Sequence, residues 1–440
     1  MPREISLSFF RYNSIEMDNN VDTEPVNNTQ TDTTESDHQP VNNLPSEYTE
    51  IGEGKAKILF STHNTVFYNK VQVFNRDISL AIIKQFIKLY QHNSKKPATK
   101  EDYDAIKYSC VVNDGDNTNS TADVIREDSS SEKEKCNGDG ILASSENKTE
   151  KPINILEALS ATGLRAIRYA LEIPSIDKII ANDLSKEAVT NIERNIKHNS
   201  VEHIVEASNA DASMLLYQHR FPLSKRFQII DLDPYGSPCQ FLDGALQAID
   251  DGGLLCVTCT DMGALCGNHG EAAFAKYGSM PFRAKFCHEM ALRIVLASLD
   301  SHAGRYKRYI VPLVSLSADF YIRLFVRVFT SANEVKRSAS KKSYVFNCNG
   351  CETFHLQPVG FNVEEGDSKK YKAGTGPVVG QRCEECGHRF KIGGPLWSEP
   401  MHDLDFIDGL MTAIQGMFVL HFLCFLGTLT LSTFRYSIDL

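Results

Sequence analysis

The chain has 440 residues, 42% of them apolar and 23% charged, with a formal net charge of −10. That length allows more than one domain around a large core, in a balance typical of soluble proteins. The 12 cysteines are scattered except for Cys-x-x-Cys pairs, which excludes a short disulfide-stapled secreted framework and fits metal-bound thiolates in a reducing compartment. Much of the acidity lies in stretches that do not read as folded, so whole-chain charge leaves open a local nucleic-acid face.

Residues 1–47 are expected to form a disordered tail, because Asn, Thr, Asp, Glu and Pro dominate and little apolar surface is available to bury. Arg3, Arg11 and the patch Ile5–Phe10 resemble an organellar presequence, but Glu4 and Glu16 argue for an untargeted tail. Order begins near Tyr48. Glu50 to Phe60 predicts two short strands or a hairpin, and Ile78 to Tyr90 predicts an apolar periodic helix. Asp77 or Ser79 is expected to cap that helix, leaving Arg76 at its N-terminal edge. Residues 91–151 read as a polar insertion, with a little order around Tyr103 to Val112.

From Pro152 the rhythm is regular. Strands are predicted at Ile153–Leu156, Ile176–Ala181, His203–Ala207, Phe227–Leu232 and Gly252–Thr258. Helices are predicted at Leu164–Glu172, Ser185–His198 and Gln240–Ile249, with another behind Ala212. This alternation predicts a parallel sheet covered on both faces. After Thr260-Asp261 a Gly- and His-containing loop leads to a helix at about Ala284–Ser298. The apolar runs Tyr309–Ser317 and Tyr321–Thr330 then read as an antiparallel hairpin added to one sheet edge. Basic clusters near Arg305, Lys336 and Lys369-Lys370 are candidates for contact with RNA phosphates.

Ligands of open parallel sheets bind beyond the carboxyl ends of the strands. Glu157, the small-residue turn to Gly163, Asp183 and Asp211 all fall there. A carboxylate closing the second strand can accept from ribose hydroxyls, and a turn of small residues lets a ligand approach the backbone. Glu157-Ala-Leu-Ser-Ala-Thr-Gly163 has one glycine where a dinucleotide site has G-x-G-x-x-G, so it suits S-adenosylmethionine better than NAD, with Glu157 toward the cationic methionine end. Each acid alone reads as a helix N-cap. The fourth strand ends in Asp233-Pro234-Tyr235-Gly236. A carboxylate and a backbone carbonyl accepting from an exocyclic base amine, beside a stacking ring, can orient that amine toward a methyl donor. Such a base must first leave its stack.

These stretches resemble the tRNA (guanine(26)-N(2)) dimethyltransferases. The resemblance rests on Glu53-Gly54-Lys55-Ala56, Phe67-Tyr68-Asn69, Asn75-Arg76-Asp77, Leu156 to Arg165, Asn182-Asp183, Asp211-Ala212, Asp231 to Pro238 and Gly380-Gln-Arg-Cys383. It covers most of Tyr48 to Met411, with Tyr235 where the family often has Phe and Lys70 where it usually has Pro. It implies a class I methyltransferase (Rossmann-like) α/β domain over 48–335, acting on tRNA with S-adenosyl-L-methionine; no obligate protein partner is evident in the sequence. By resemblance, Arg76, Arg165, Asp183, Asp211 and Ala212 line the cofactor site. Asp233 is implied to be catalytic, and Phe67 and Tyr235 to bracket the guanine. The family resemblance further implies an intracellular place, in nucleus or mitochondrion. The rival readings are a weak RNA-binding scaffold and an NAD-dependent oxidoreductase.

Cys348-Asn-Gly-Cys351 and Cys383-Glu-Glu-Cys386 have the spacing of a zinc ribbon, with tetrahedral structural zinc on four thiolates in a C-terminal region over 336–411. Cys256 and Cys259 are expected to be buried free thiols on opposite sides of a strand. The resemblance breaks off past Met411, where the family continues into a further domain that grips tRNA. Residues 412–440 are instead an apolar tail whose run from Ala413 to Phe434 just reaches membrane-spanning length. It is expected to be an aberrant or alternative end rather than a membrane segment.

Overall fold

The computed structural model describes residues 48–61, 68–111, 151–365 and 368–414. The expected N-terminal tail, residues 112–150 of the insertion, Phe67 and the apolar run past residue 414 lie outside the described residues.

Strands β1 (Tyr48–Glu53) and β2 (Ala56–Ser61) pair as an antiparallel hairpin. Helices α1 (Val73–His92) and α2 (Lys100–Val111) follow. The alternating region comprises β3 (Asn154–Glu157), α3 (Leu164–Glu172), β4 (Lys178–Asp183), α4 (Lys186–His198) and β5 (Val205–Asn209). It continues through α5 (Ala212–Gln218), β6 (Phe227–Leu232), α6 (Cys239–Ala248) and β7 (Ile249–Cys259). Short helices α7 (Met262–Leu265) and α8 (Gly270–Tyr277) precede α9 (Cys287–Gly304), β8 (Arg308–Ala318), β9 (Tyr321–Thr330) and α10 (Ala332–Val335). The C-terminal part holds β10 (Lys342–Cys348), β11 (Phe354–Pro358), β12 (Gly360–Glu365), β13 (Ser368–Ala373), β14 (Phe390–Trp397) and α11 (Leu404–Ile414).

The central sheet has seven strands in the order β5-β4-β3-β6-β7-β9-β8. The first five are parallel, and β9 runs antiparallel to both β7 and β8. The predicted hairpin therefore inserts with its second strand innermost. Side chains alternate between two cores: Leu156, Ile230, Leu232, Leu255 and Val257 face α5, α6 and α9, while Ile155, Ile229, Leu254 and Cys256 face α1, α3 and α4. Each such fully buried aliphatic side chain contributes about 1.5–3 kcal/mol. Cys256 and Cys259 fall in opposite cores and are free thiols, as alternation requires.

Three local expectations are corrected. α1 begins at Val73 rather than near Ile78, because Asn69 accepts from Val71 N at 2.9 Å and starts a helical turn that runs into it. Asp77 and Ser79 are thus interior rather than caps: Asp77 pairs with Arg168 at 2.7 Å, and the Ser79 hydroxyl donates to Asn75 O at 2.6 Å. The stretch read as a Gly- and His-containing loop holds α7 and α8. The basic runs are partly consumed inside the fold. Arg308 is buried and donates to the carbonyls of Leu246, Ile249 and Asp250, and Lys342 pairs with Asp300 at 2.8 Å. Lys341 lies over the rings of Tyr309 and Trp397.

Helix α2 docks beside α11, where the Tyr103 hydroxyl donates to Asp403 Oδ2 at 2.7 Å. At Gly252, φ is +75° and a Cβ would stand 1.7 Å from Ser94 O. Gly252→Ala therefore meets both left-handed strain and a backbone clash. It is expected to cost about 2 kcal/mol or more, read as a lower denaturant midpoint at unchanged slope.

Candidate functional site

The carboxyl ends of β3, β4, β5 and β6 meet where strand order reverses about β3. Asn182, with no exposed surface, ties three of these ends together: its Nδ2 donates to Ala158 O and Ala210 O at 3.0 Å, and its Oδ1 accepts from Ala210 N at 3.1 Å. The turn after β3 is closed by Ser160 N to Asn182 O and by Gly163 N to Ser160 O, both 2.8 Å. Gly163, at φ +76°, is the N-cap of α3 and lies where a Cβ would press Ile192 at 3.2 Å.

Asp183 turns toward that turn. Its Oδ2 accepts from Ala161 N at 3.0 Å and its Oδ1 from Ser185 N at 2.9 Å, with the residue half-buried. Asp211 caps α5 by accepting from Met214 N at 2.9 Å, and Ala212 is buried in the first turn behind it. Glu157 lies beneath the turn, 3% exposed, with its Oε2 accepting from Ala166 N at 3.1 Å. Burial pushes its carboxyl up to about 8, with Asp231 adding to the shift and Arg165 opposing it. Burial therefore favours the neutral form of Glu157, whose carboxyl faces Ala166 N rather than standing out toward the cationic methionine end.

Arg165, buried in the first turn of α3, joins this turn to the end of β6. Its Nη2 donates to Asp233 Oδ2, its Nη1 to Ser79 Oγ at 3.3 Å, and its Nε lies 3.7 Å from Glu157 Oε1. Asp233 keeps a quarter of its side chain exposed. Tyr235 is 95% exposed, so its ring stands in solvent beside that carboxylate. Gly236, at φ +76°, is pinned by its N–H to Thr260 Oγ1 at 2.8 Å and by Thr260 N to its carbonyl at 3.0 Å. These bonds aim the loop outward.

Arg76 is tied to Glu53. Its Nε and Nη2 meet the two carboxylate oxygens at 2.5 and 2.6 Å, and Tyr68 donates to the same carboxylate at 2.8 Å. Glu53 also accepts from Arg168 at 2.8 Å, so the β1–β2 hairpin is clamped to α1 and α3. The structure thus brings Arg165, Asp183, Gly163 and Asp233 to one strand-end face, while Arg76 lies with the hairpin clamp. Sequence reasoning missed Arg323 and Tyr169, which meet Asp231 below the site. Two arginines, Arg323 and Arg327, inside the apolar run Tyr321–Thr330 were the available signal.

The four predicted zinc-ribbon cysteines converge, all Sγ atoms lying within 4.8 Å of one another. Cys348 and Cys386 are 3.3 Å apart and Cys351 and Cys383 3.6 Å. His388 is not among these converging atoms; its ring packs beside Gly350, and its Nδ1 meets Cys386 O at 3.2 Å. Cys266, Cys287 and His288 also cluster, with the Cys266 thiol directed at the Cys287 carbonyl at 3.7 Å.

A seven-stranded sheet with one antiparallel insertion, presenting carboxylates and a small-residue turn at its parallel strand ends, defines the class I methyltransferase fold. The profile of the N2,N2-dimethylguanosine tRNA methyltransferase family matches residues 47–422, and the chain belongs to that family. It is 47% identical to the human tRNA (guanine(26)-N(2))-dimethyltransferase over 84% of this chain and 55% of that one. The mitochondrial enzyme of that name from Saccharomyces cerevisiae is 42% identical over 82% of this chain and 62% of its own. Among solved structures, Trm1 from Pyrococcus horikoshii in complex with S-adenosyl-L-methionine superposes with a TM-score of 0.58 at 25% identity, covering 83% of this chain and 78% of that one. The chain spans about half the length of the mammalian relatives it matches.

Because Glu157 is neutral when folded and has an ordinary value of 4.5 when exposed, folded chain binds the extra proton across that window. Its contribution to stability is present below the unfolded value and is lost as pH rises through about 8. Glu157→Gln keeps the neutral form. The melting temperature of the variant relative to wild type is therefore expected to climb from about pH 5 to about pH 9, and a difference flat in pH would refute the assignment.

Proposed function

We propose that the chain transfers methyl groups from S-adenosyl-L-methionine to the exocyclic N2 amine of a guanine in tRNA, guanine 26 by its family. The observation that carries this is the end of β6: Asp233 held by Arg165 at the mouth of the parallel sheet, with the Tyr235 ring exposed beside it. The face next to it suits the cofactor. A half-buried Asp183 carboxylate can accept from ribose hydroxyls, and the turn to Gly163 presents small residues. A turn with a single glycine lacks the G-x-G-x-x-G cradle of a pyrophosphate, which argues against NAD.

When bound, the cofactor supplies an electrophilic methyl group on a sulfonium. A guanine amine is a poor nucleophile because its lone pair is delocalised into the ring. Asp233 and the Pro234 carbonyl accept from its two N–H bonds and favour a more tetrahedral nitrogen, whose lone pair can then take the methyl. Asp233 accepts the proton that the new ammonium-like nitrogen releases. Tyr235, and Phe67 by family resemblance, stack on the flipped base. Exposed Arg305, Lys307 and Lys336 remain available to phosphates. An intracellular setting follows from the same reading, the yeast relative being named mitochondrial. Among the described residues no helix is long and apolar enough to cross a membrane.

The cysteine cluster suits a structural zinc ion. Sulfur separations of 3.3 and 3.6 Å lie close to the roughly 3.8 Å edge of a tetrahedron with 2.3 Å zinc–sulfur bonds. Gly350 donates its N–H to Cys348 Sγ at 3.3 Å, and a Cβ there would meet Cys386 Sγ at 3.0 Å, so the knuckle accepts only glycine without adjustment.

Incubated with unmodified tRNA and labelled cofactor, the purified chain is expected to yield N2-methylated guanosine. Asp233→Ala should lower transfer by about 10³-fold or more while leaving cofactor affinity within a few-fold. Wild-type chain that binds cofactor and tRNA but transfers nothing would favour the RNA-binding scaffold instead. For the ribbon, elemental analysis should find about one zinc per chain, falling well below that in Cys383→Ser. Unchanged metal content in the variant would refute the site.

A further inference from the structure

Beneath Asp233 lies a carboxylate–guanidinium pair that the chemistry above does not use. The side chains of Asp231 and Arg323 have no exposed surface, and they come from β6 and β9, which β7 separates. Arg323 Nη1 and Nη2 donate to Oδ1 and Oδ2 of Asp231 at 2.8 Å each. The same two nitrogens reach Thr258 Oγ1 at 2.7 Å and Ser79 Oγ at 3.0 Å. Tyr169 completes the set, donating to Asp231 Oδ2 at 2.7 Å.

Arg165 also approaches this carboxylate, its Nη1 standing 3.7 Å from Asp231 Oδ2. The Arg165 guanidinium thus has carboxylates at Asp231, within β6, and at Asp233, just beyond it, besides the buried Glu157 carboxyl at 3.7 Å, and its hydrogen bond goes to the most exposed of them, Asp233. Electrostatics alone would choose Asp231. Attraction is stronger where the dielectric is low, and an unpaired buried charge costs more than a partly hydrated one. Arg323 removes that preference by filling both Asp231 oxygens in a bidentate fork. Ser79, on α1, accepts from both arginines and holds the two guanidiniums apart.

We infer that Arg323 is a positioning residue for Asp233: by saturating Asp231 it leaves Arg165 free to hold the Asp233 carboxylate at the mouth of the site. This rests on the proposed function for the identity of the amine that Asp233 receives, and deepens it. Loss of Arg323 leaves Asp231 and Asp233 competing for a single guanidinium, and Arg165 swings to the buried one. The carboxylate at the surface then loses its anchor.

The test uses the full chain and unmodified tRNA. In Arg323→Gln, kcat for methyl transfer is expected to fall about 100-fold, the cost of a misplacement near 1 Å, with KM for tRNA within about threefold. Adding Asp231→Asn removes the competitor, and the double variant is expected to recover to within about tenfold of wild type. A double variant no better than the single one would overturn the inference. Because Asp231→Asn also relieves the buried charge that Arg323→Gln leaves unpaired, recovery supports it only where the single variant melts near wild type, and a loss of kcat that merely tracks a lowered melting temperature overturns it. Should Arg323→Gln not fold, Arg323→Lys keeps the charge but engages one oxygen at a time. Its kcat is expected to fall about tenfold, and undiminished transfer in the folded variant would count against the inference. A crystal structure of either folded variant reads the same point without an assay: Arg165 on Asp231 supports it, and Arg165 still on Asp233 refutes it. Wild-type chain that transfers no methyl group refutes the proposed function instead, and the crystallographic result stands separately.

Discussion

Asp231 carries its negative charge at the centre of the sheet with none of its surface exposed. Burial alone would drive that carboxyl up, yet Arg323 and Arg165 outweigh it and hold it at about 2. Taking such an ion out of water costs several kcal/mol, which only complete hydrogen bonding offsets. Its partners are Arg165 and Tyr169 on α3 and Arg323 on β9, and Ser79 on α1 and Thr258 on β7 in turn accept from the guanidiniums. Elements distant in the chain are thereby bound to one register. A slip of one residue in β9 would turn Arg323 to the other face and leave the charge bare.

Above this charge the strand ends are organised by neutral hydrogen bonds. Asn182 joins β3, β4 and β5, and a protonated Glu157 sits at the start of α3. With Glu157 neutral, the two guanidiniums of Arg165 and Arg323 balance the carboxylates of Asp231 and Asp233. The open face therefore presents the Asp233 carboxylate with its own counter-ion, Arg165, beneath it. The β1–β2 hairpin is held by a separate clamp, Glu53 among Arg76, Arg168 and Tyr68, and so borders the site without sharing its charges.

Much of this was legible in sequence because it depends on local patterning. The predicted helix Leu164–Glu172 and strand Phe227–Leu232 have the observed bounds, and the hairpin Tyr309 to Thr330 was placed as an antiparallel addition to the sheet. Where reading failed, a distant contact had overridden the local signal. Asp77 resembles a cap but is drawn to Arg168, and α1 starts a turn earlier on the Asn69 side chain. The run near Arg305 reads as a candidate for contact with RNA phosphates, yet Arg308 is spent on the carbonyls of Leu246, Ile249 and Asp250.

The amino-acid sequence by itself determined the strand–helix alternation, the strand ends that carry Glu157, Asp183, Asp211 and Asp233, and the four ribbon cysteines, because hydrophobic period, turn chemistry and ligand spacing are local properties. Only tertiary structure decided which charges are paired. That Asp231 takes Arg323, that Arg165 is left for Asp233, and that Glu157 is neutral all depend on which side chains from remote strands enter the same water-free space. Coulomb attraction and desolvation act through that space, and chain order does not reveal it.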